Sequence, residues 1–137
     1  MMNDVGDREG RGDNRYGSDW LVWKGSDTFA PLGPFIVPAE FVEDPHTLDI
    51  QFRLSGELMQ DANTELMQHS VDELVQFVSN NIILQPGDVI ATGTPGGVGY
   101  ARTPPVFMLP GDVAECSVEG IGTLTNPVMR WEDVMPR

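Results

Sequence analysis

Two stretches of this chain carry residue types suited to holding a small anion. Thr92-Gly-Thr-Pro-Gly-Gly-Val-Gly99 has glycines at 93, 96, 97 and 99 and hydroxyls at Thr92 and Thr94. Such a loop lets backbone N–H groups approach a ligand closely, because no Cβ stands in the way. It is not a nucleotide P-loop, since no Lys-Ser or Lys-Thr follows the last glycine, and it does not fit G-x-G-x-x-G. Taken alone it also reads as a plain glycine-rich turn, and the Thr94 hydroxyl serves a turn cap as readily as a ligand. The second stretch is centred on Lys24, which stands between Trp23 and Gly25 in an apolar segment of an acid-rich chain. An ammonium placed there could hold an oxyanion or a carboxylate, although a solvated lysine is the commoner case.

The elements that must position these groups can be read from turn chemistry and periodicity. Pro86-Gly87 predicts a type II turn, with proline pre-setting φ and glycine supplying the positive φ. Val89-Ile90-Ala91 follows as a short predicted strand feeding the glycine loop. Pro110-Gly111-Asp112-Val113 repeats the chemistry of Pro86-Gly87-Asp88-Val89 as a second use of one turn. From Thr47 to Leu54 the apolar Leu48, Ile50, Phe52 and Leu54 alternate with polar residues, predicting a strand with one wet face. Ser55-Gly56 is a hairpin turn and Glu57–Gln60 its returning strand. Ser70-Val-Asp-Glu73 is a capping box opening a helix with Val71, Leu74, Val75 and Val78 on one face. Val113–Glu119 and Thr123–Thr125 form a further hairpin about Gly120-Ile121-Gly122, while Pro31, Pro34 and Pro38 favour extended chain with turns. The polar composition of residues 1–19 reads as a mobile segment. These features predict a strand-dominated domain with one main helix.

Composition narrows the partners. The 137 residues carry a formal charge of −13. With no cluster of Lys or Arg, the chain is expected to bind neither nucleic acid nor anionic membrane. An anionic ligand would gain no long-range steering, so its site must be locally positive. No run of 18 apolar residues occurs and no basic-then-apolar leader opens the chain, so a cytoplasmic location is expected. Cys116 shares a strand face with Ala114 and Val118 and reads as a small core residue rather than a nucleophile. His46 and His69 have no second ligand at metal-binding spacing. Asp61, Glu65, Asp72 and Glu73 read as a solvated face with helix N-terminal charge.

Several short motifs, in order and at matching spacing, resemble the C-terminal half of the fumarylacetoacetate hydrolase family. They are Asn3-Asp4-Val5 with Arg8, Asp27-Thr-Phe-Ala-Pro-Leu-Gly-Pro34, Gly56-Glu57-Leu58, Asn63-Thr64, Pro86-Gly-Asp-Val-Ile-Ala-Thr-Gly-Thr-Pro95 and Gly120-Ile121-Gly122. The resemblance implies a mainly β (α+β) fold, a mixed sheet or β-roll with one main helix, as a single domain over residues 1–137. It implies hydrolysis of carbon–carbon bonds in 1,3-dicarbonyl acids such as acylpyruvates and fumarylacetoacetate, or isomerisation or decarboxylation of related enols. A small anionic dicarbonyl substrate, a divalent cation (Mg²⁺, Mn²⁺ or Ca²⁺) and a homodimer come with it. By the same resemblance Lys24 is catalytic and binds substrate, Gly93 and Thr94 bind substrate, and Asp4 is a metal ligand at the end of a core strand. Hard cations take carboxylate oxygens, and a cation with an ammonium stabilises an enolate leaving group.

The chain also departs from the family pattern. Ser26 stands at an aromatic position, Val5-Gly6-Asp7-Arg8 replaces Val-Ser-Ala-Arg, and Gly10-Arg11 replaces a glutamine. The family's Glu-x-Glu pair and acid–base histidine lie upstream of the aspartate motif, and no Glu-x-Glu occurs in the sequence. The chain therefore reads as truncated at its N-terminus. The alternative to an enzyme is a catalytically inactive remnant acting as an interaction or dimerisation domain.

Overall fold

The computed structural model describes residues 1–8 and 20–134; the expectations for residues 9–19, including Gly10-Arg11, lie outside them. The elements are α1 (Trp20–Lys24), β1 (Asp49–Leu54), β2 (Glu57–Asn63), α2 (Val71–Ser79), β3 (Val113–Val118), β4 (Gly122–Pro127) and α3 (Trp131–Val134), with one-turn 3-10 helices between. The strands form one sheet in the order β2-β1-β3-β4. The expected strand-dominated α+β architecture is present, and every pairing between these strands is antiparallel rather than mixed.

Local chemistry accounts for the frame. Ser55 and Gly56 have φ of 50° and 86°, so both central residues of the β1–β2 turn are left-handed. That geometry matches the twist of a hairpin. The Ser55 hydroxyl donates to Asp112 Oδ1 at 2.7 Å, tying this hairpin to the turn that launches β3. The two Pro-Gly-Asp turns are built alike. Asp88 N–H donates to Gln85 O and Asp112 N–H to Leu109 O, each at 3.0 Å. Each Asp side chain in return accepts from the first residue of its turn, at 2.7 and 2.8 Å. The Leu109 N–H, with the Ser55 hydroxyl, holds the Asp112 carboxyl below its ordinary range. Ser70 and Glu73 form the complete capping box of α2. Such a cap contributes about 0.5–2 kcal/mol. His46 adds to the same helix end: its Nε2 accepts from Val71 N–H at 2.9 Å, and Nδ1 faces Asp44. It is thus an acceptor at a helix start.

One predicted element is not a strand. Val89-Ile90-Ala91 joins no ladder. The adjoining loop meets the β2 edge through side chains instead. The register of β1 and β2 slips between Phe52 and Arg53, with Phe52 opposite Gln60 and Arg53 opposite Leu58. Met59 is therefore the extra residue of a β-bulge. Its carbonyl accepts from Arg102 Nη2, and Arg102 Nε donates to Gly97 O at 3.1 Å. A Cβ at Gly97, whose φ is 99°, would lie 2.4 Å from Met59 O. Gly97 thus seats the loop on the bulge. Gly93 differs: its φ of 108° favours glycine, yet a Cβ there would meet no atom within 4 Å. The space beside Gly93 is open, and close approach to the protein belongs to Gly97 and to Gly99, whose Cβ would meet Val106 O.

Gly97→Ala is expected to destabilise the chain by more than the roughly 1–2 kcal/mol of a left-handed alanine, because backbone oxygen blocks its Cβ. Gly93→Ala is expected to stay within that range. Urea midpoints of the two variants check the order; equal midpoints mean the loop is not seated on Met59.

Candidate functional site

The N-terminal segment is laid across the sheet. Asn3 N–H donates to Pro31 O and Gly33 N–H to Met1 O, each at 3.1 Å, and Met2 bridges Leu32. The place predicted as a strand end is thus a single isolated bridge. Asn3 is buried and its amide donates to Asn126 Oδ1 of β4 at 3.2 Å. Asp7 N–H then donates to Trp23 O at 2.9 Å, which joins the segment to α1. The apolar cluster at Trp20–Trp23 is this short helix, ended at Gly25, whose N–H donates to Leu21 O at 2.7 Å. A Cβ at Gly25 would lie 2.5 Å from that oxygen. Helix end and N-terminal segment together bring Lys24 to Asp4.

Lys24 Nζ lies 2.8 Å from Asp4 Oδ1 and donates to Asp4 O at 3.0 Å. The pair is partly open to water, with side chains 25% and 46% exposed. An ammonium has three donors. Asp4 takes two of them among the described residues, leaving one for a ligand oxygen. Gly6, at a position where the chain departs from the family, leaves the room for this lysine: a Cβ there would stand 3.3 Å from Nζ.

Asp4, Lys24, Gly93 and Thr94 all line one cavity of about 380 Å³. Its floor is the apolar face of the sheet, including Ile50, Phe52 and Val118. Cys116 lies on this floor half-buried, and burial pushes its thiol up, so it stays protonated as a core residue would. Among the described residues the cavity lining holds the cations Lys24 and Arg8 and the acid Asp4. That described lining is net positive in a chain of charge −13. A shallow depression beside Glu119–Thr123 carries the acids Asp49 and Glu119 and none of the predicted site residues.

Two residues of the cavity escaped the sequence reading as site residues. The Arg8 guanidinium lies 5.2 Å from the Trp23 ring centre and 5.1 Å from that of Tyr100. Such stacking fixes a cation between apolar walls, and it links α1 to the chain after the glycine loop. The sequence showed Arg8 only as part of a motif. Gln60 also lines the cavity, and its Nε2 donates to Thr94 Oγ1 at 3.0 Å and to Pro95 O at 2.7 Å. No sequence signal marks it, since only the Met59 bulge brings it beside the loop.

The described residues do not by themselves make a divalent-cation site. Among the described residues no three His, Cys, Asp or Glu side chains converge. The carboxylate of Asp4 is engaged by Lys24. Magnesium gives up its water only to several well-placed oxygens. Nor, among the described residues, is any helix long and apolar enough to cross a membrane.

Comparison with known proteins gives the family. Residues 1–129 match the family model described as fumarylacetoacetate (FAA) hydrolase C-terminal. The mitochondrial oxaloacetate tautomerase FAHD2B of Bos taurus is 49% identical over 115 residues, covering 84% of this chain and 37% of that protein. The crystal structure of 5-carboxymethyl-2-hydroxymuconate delta-isomerase from Mycobacterium smegmatis superposes with a TM-score of 0.79 at 43% identity, covering 94% of this chain and 46% of that one. Maleylpyruvate hydrolase from Sphingobium sp. SYK-6, in complex with manganese (II) ion and pyruvate, gives 0.68 at 39% identity over 75% of this chain and 36% of that one. This chain spans less than half the length of each of these proteins. On motifs, sheet and sequence match alike, it belongs to the fumarylacetoacetate hydrolase family.

Proposed function

We propose that this chain supplies the anion-holding part of an enzyme that acts on 1,3-dicarbonyl acids or their enols, cleaving a carbon–carbon bond or interconverting the tautomers. The observation that carries this is the convergence of Lys24, Gly93 and Thr94 on one half-open cavity whose described lining is net positive. The free donor of Lys24 and the Thr94 hydroxyl hold the carboxylate or enolate oxygen, with the Gly93 backbone open beside them. Their chemistry is electrostatic: donors set in advance where negative charge develops need no reorganisation during reaction. Relatives named as tautomerase, isomerase and hydrolase share this need, because their names describe 2-oxo or enol acids. Asp4 offers one carboxylate to a divalent cation, and further carboxylates would have to come from residues beyond those described.

Pyruvate, present in the solved maleylpyruvate hydrolase complex, is the minimal probe. Titrated into the 137-residue chain, it is expected to shift the amide resonances of Gly93 and Thr94 saturably. Lys24→Met should weaken this binding at least about tenfold, roughly 1.4 kcal/mol. Shifts that are unsaturable, or unchanged in the variant, refute the anion site.

Metal binding is expected to be poor. Calorimetric titration of the chain with Mg²⁺ and Mn²⁺ should reveal no micromolar site, and the metal-supplemented chain should not turn over acylpyruvate. Micromolar affinity with turnover would show that carboxylates outside Asp4 complete the site.

A second reading, an interaction domain, is favoured by the exposed apolar side chains. Ile36 and Ile83 are 96% and 85% exposed, with Phe35, Phe41 and Phe77 also open. Where such side chains form one contiguous patch, they mark an association site. Sedimentation should therefore find a homodimer, twice the 15.1 kDa chain mass; a monomer at every concentration rules that out.

A further inference from the structure

We propose that Gln60 is a positioning residue that holds the Thr94 hydroxyl by one of its lone pairs and leaves its hydrogen free to donate to a ligand oxygen. The inference rests on the anion-site reading of Lys24 and Thr94. Gln60 Nε2 lies 2.7 Å from Pro95 O, 3.0 Å from Thr94 Oγ1 and 3.4 Å from Gly96 O. Two of these partners are backbone carbonyls, which only accept, so the amide must turn its nitrogen and not its oxygen to the loop. One amide hydrogen is taken by Pro95 O; the other is shared between Thr94 Oγ1 and the more distant Gly96 O.

A hydroxyl that accepts from an N–H keeps its own hydrogen to donate. Thr94 lines the same cavity as Lys24, so its hydrogen and the remaining ammonium donor are offered to one space. A carboxylate or enolate oxygen satisfies both donors, and the Gln60 amide occupies one of the two acceptor lone pairs of Thr94. That side chain is itself held firmly. Gln60 sits opposite Phe52, directly after the bulged Met59, whose carbonyl is bound by Arg102. The bulge places Met59 and Gln60 together along the cavity.

The test uses the 137-residue chain, with nuclear magnetic resonance and pyruvate as probe. The Gln60 side-chain amide protons should exchange with water about tenfold more slowly than those of exposed Gln68, and Thr94→Val should shift their resonances. Gln60→Met keeps the length of the side chain and removes the amide. It is expected to weaken pyruvate about tenfold in the parent chain but less than about twofold in a Thr94→Val background, because one residue acts through the other. Gln60→Glu, which would set a carboxylate against the loop carbonyls, should lose affinity likewise. Spectra and unfolding midpoints of both variants separate these losses from misfolding. A freely exchanging Gln60 amide, an unchanged pyruvate affinity in folded Gln60 variants, or equal losses in both backgrounds overturns the proposal. A protected Gln60 amide in a parent chain that binds no pyruvate instead overturns the anion site, and the donor role falls with it.

Discussion

A single extra residue in an edge strand sets the geometry on which the site depends. At Met59 the β2 ladder slips by one, a backbone carbonyl leaves the sheet, and the next side chain, Gln60, is aimed at the cavity. Arg102 binds that carbonyl, Gly97 packs over it, and the Gln60 amide takes up Thr94 and Pro95. An edge strand ordinarily leaves unpaired donors and acceptors that invite another strand. Here part of that edge is closed by a loop, and the closure is what presents Thr94.

The opposite wall follows a different logic. Lys24 and Asp4 are partly open to water, and such a pair contributes about 0–1 kcal/mol to stability. Its value lies in placement. The carboxylate and carbonyl of one residue fix the direction of an ammonium that would otherwise sweep a large volume. Arg8 between Trp23 and Tyr100 then joins this wall to the chain that follows the glycine loop. Among the described residues the cavity lining thus carries two cations and one acid, while acids dominate the sequence as a whole.

The same cavity floor explains why the frame supports the site with few buried groups. Among the described residues Met59, Ala114 and Leu124 are the buried apolar side chains. Ala114 and Leu124 lie on β3 and β4, and Met59 is the bulge itself. The buried apolar side chains therefore lie on the sheet strands β2, β3 and β4. Elsewhere hydrogen-bonded turns, not a thick core, hold the chain: the paired Pro-Gly-Asp turns and the Ser55–Asp112 contact fix how the hairpins are set.

What the sequence by itself determined is whatever depends on neighbours along the chain. The alternation through Leu54, the Ser55-Gly56 turn, the capping box at Ser70 and the Pro-Gly-Asp turns are short-range chemistry, and each stands in the structure. Ordered motifs were also enough to indicate the family, because spacing between glycines and prolines encodes turn geometry. Tertiary structure alone decided the rest. The bulge at Met59 depends on cross-strand register, which no local pattern records, and so Gln60 and the seat of Gly97 were illegible. Val89–Ala91 had strand composition but found no ladder, since a strand is defined by its partner. Lys24 and Asp4 are 20 residues apart in sequence. Long-range contacts such as the bridge of Met2 to Leu32 and the bond from Asp7 to Trp23 bring them within reach of one another.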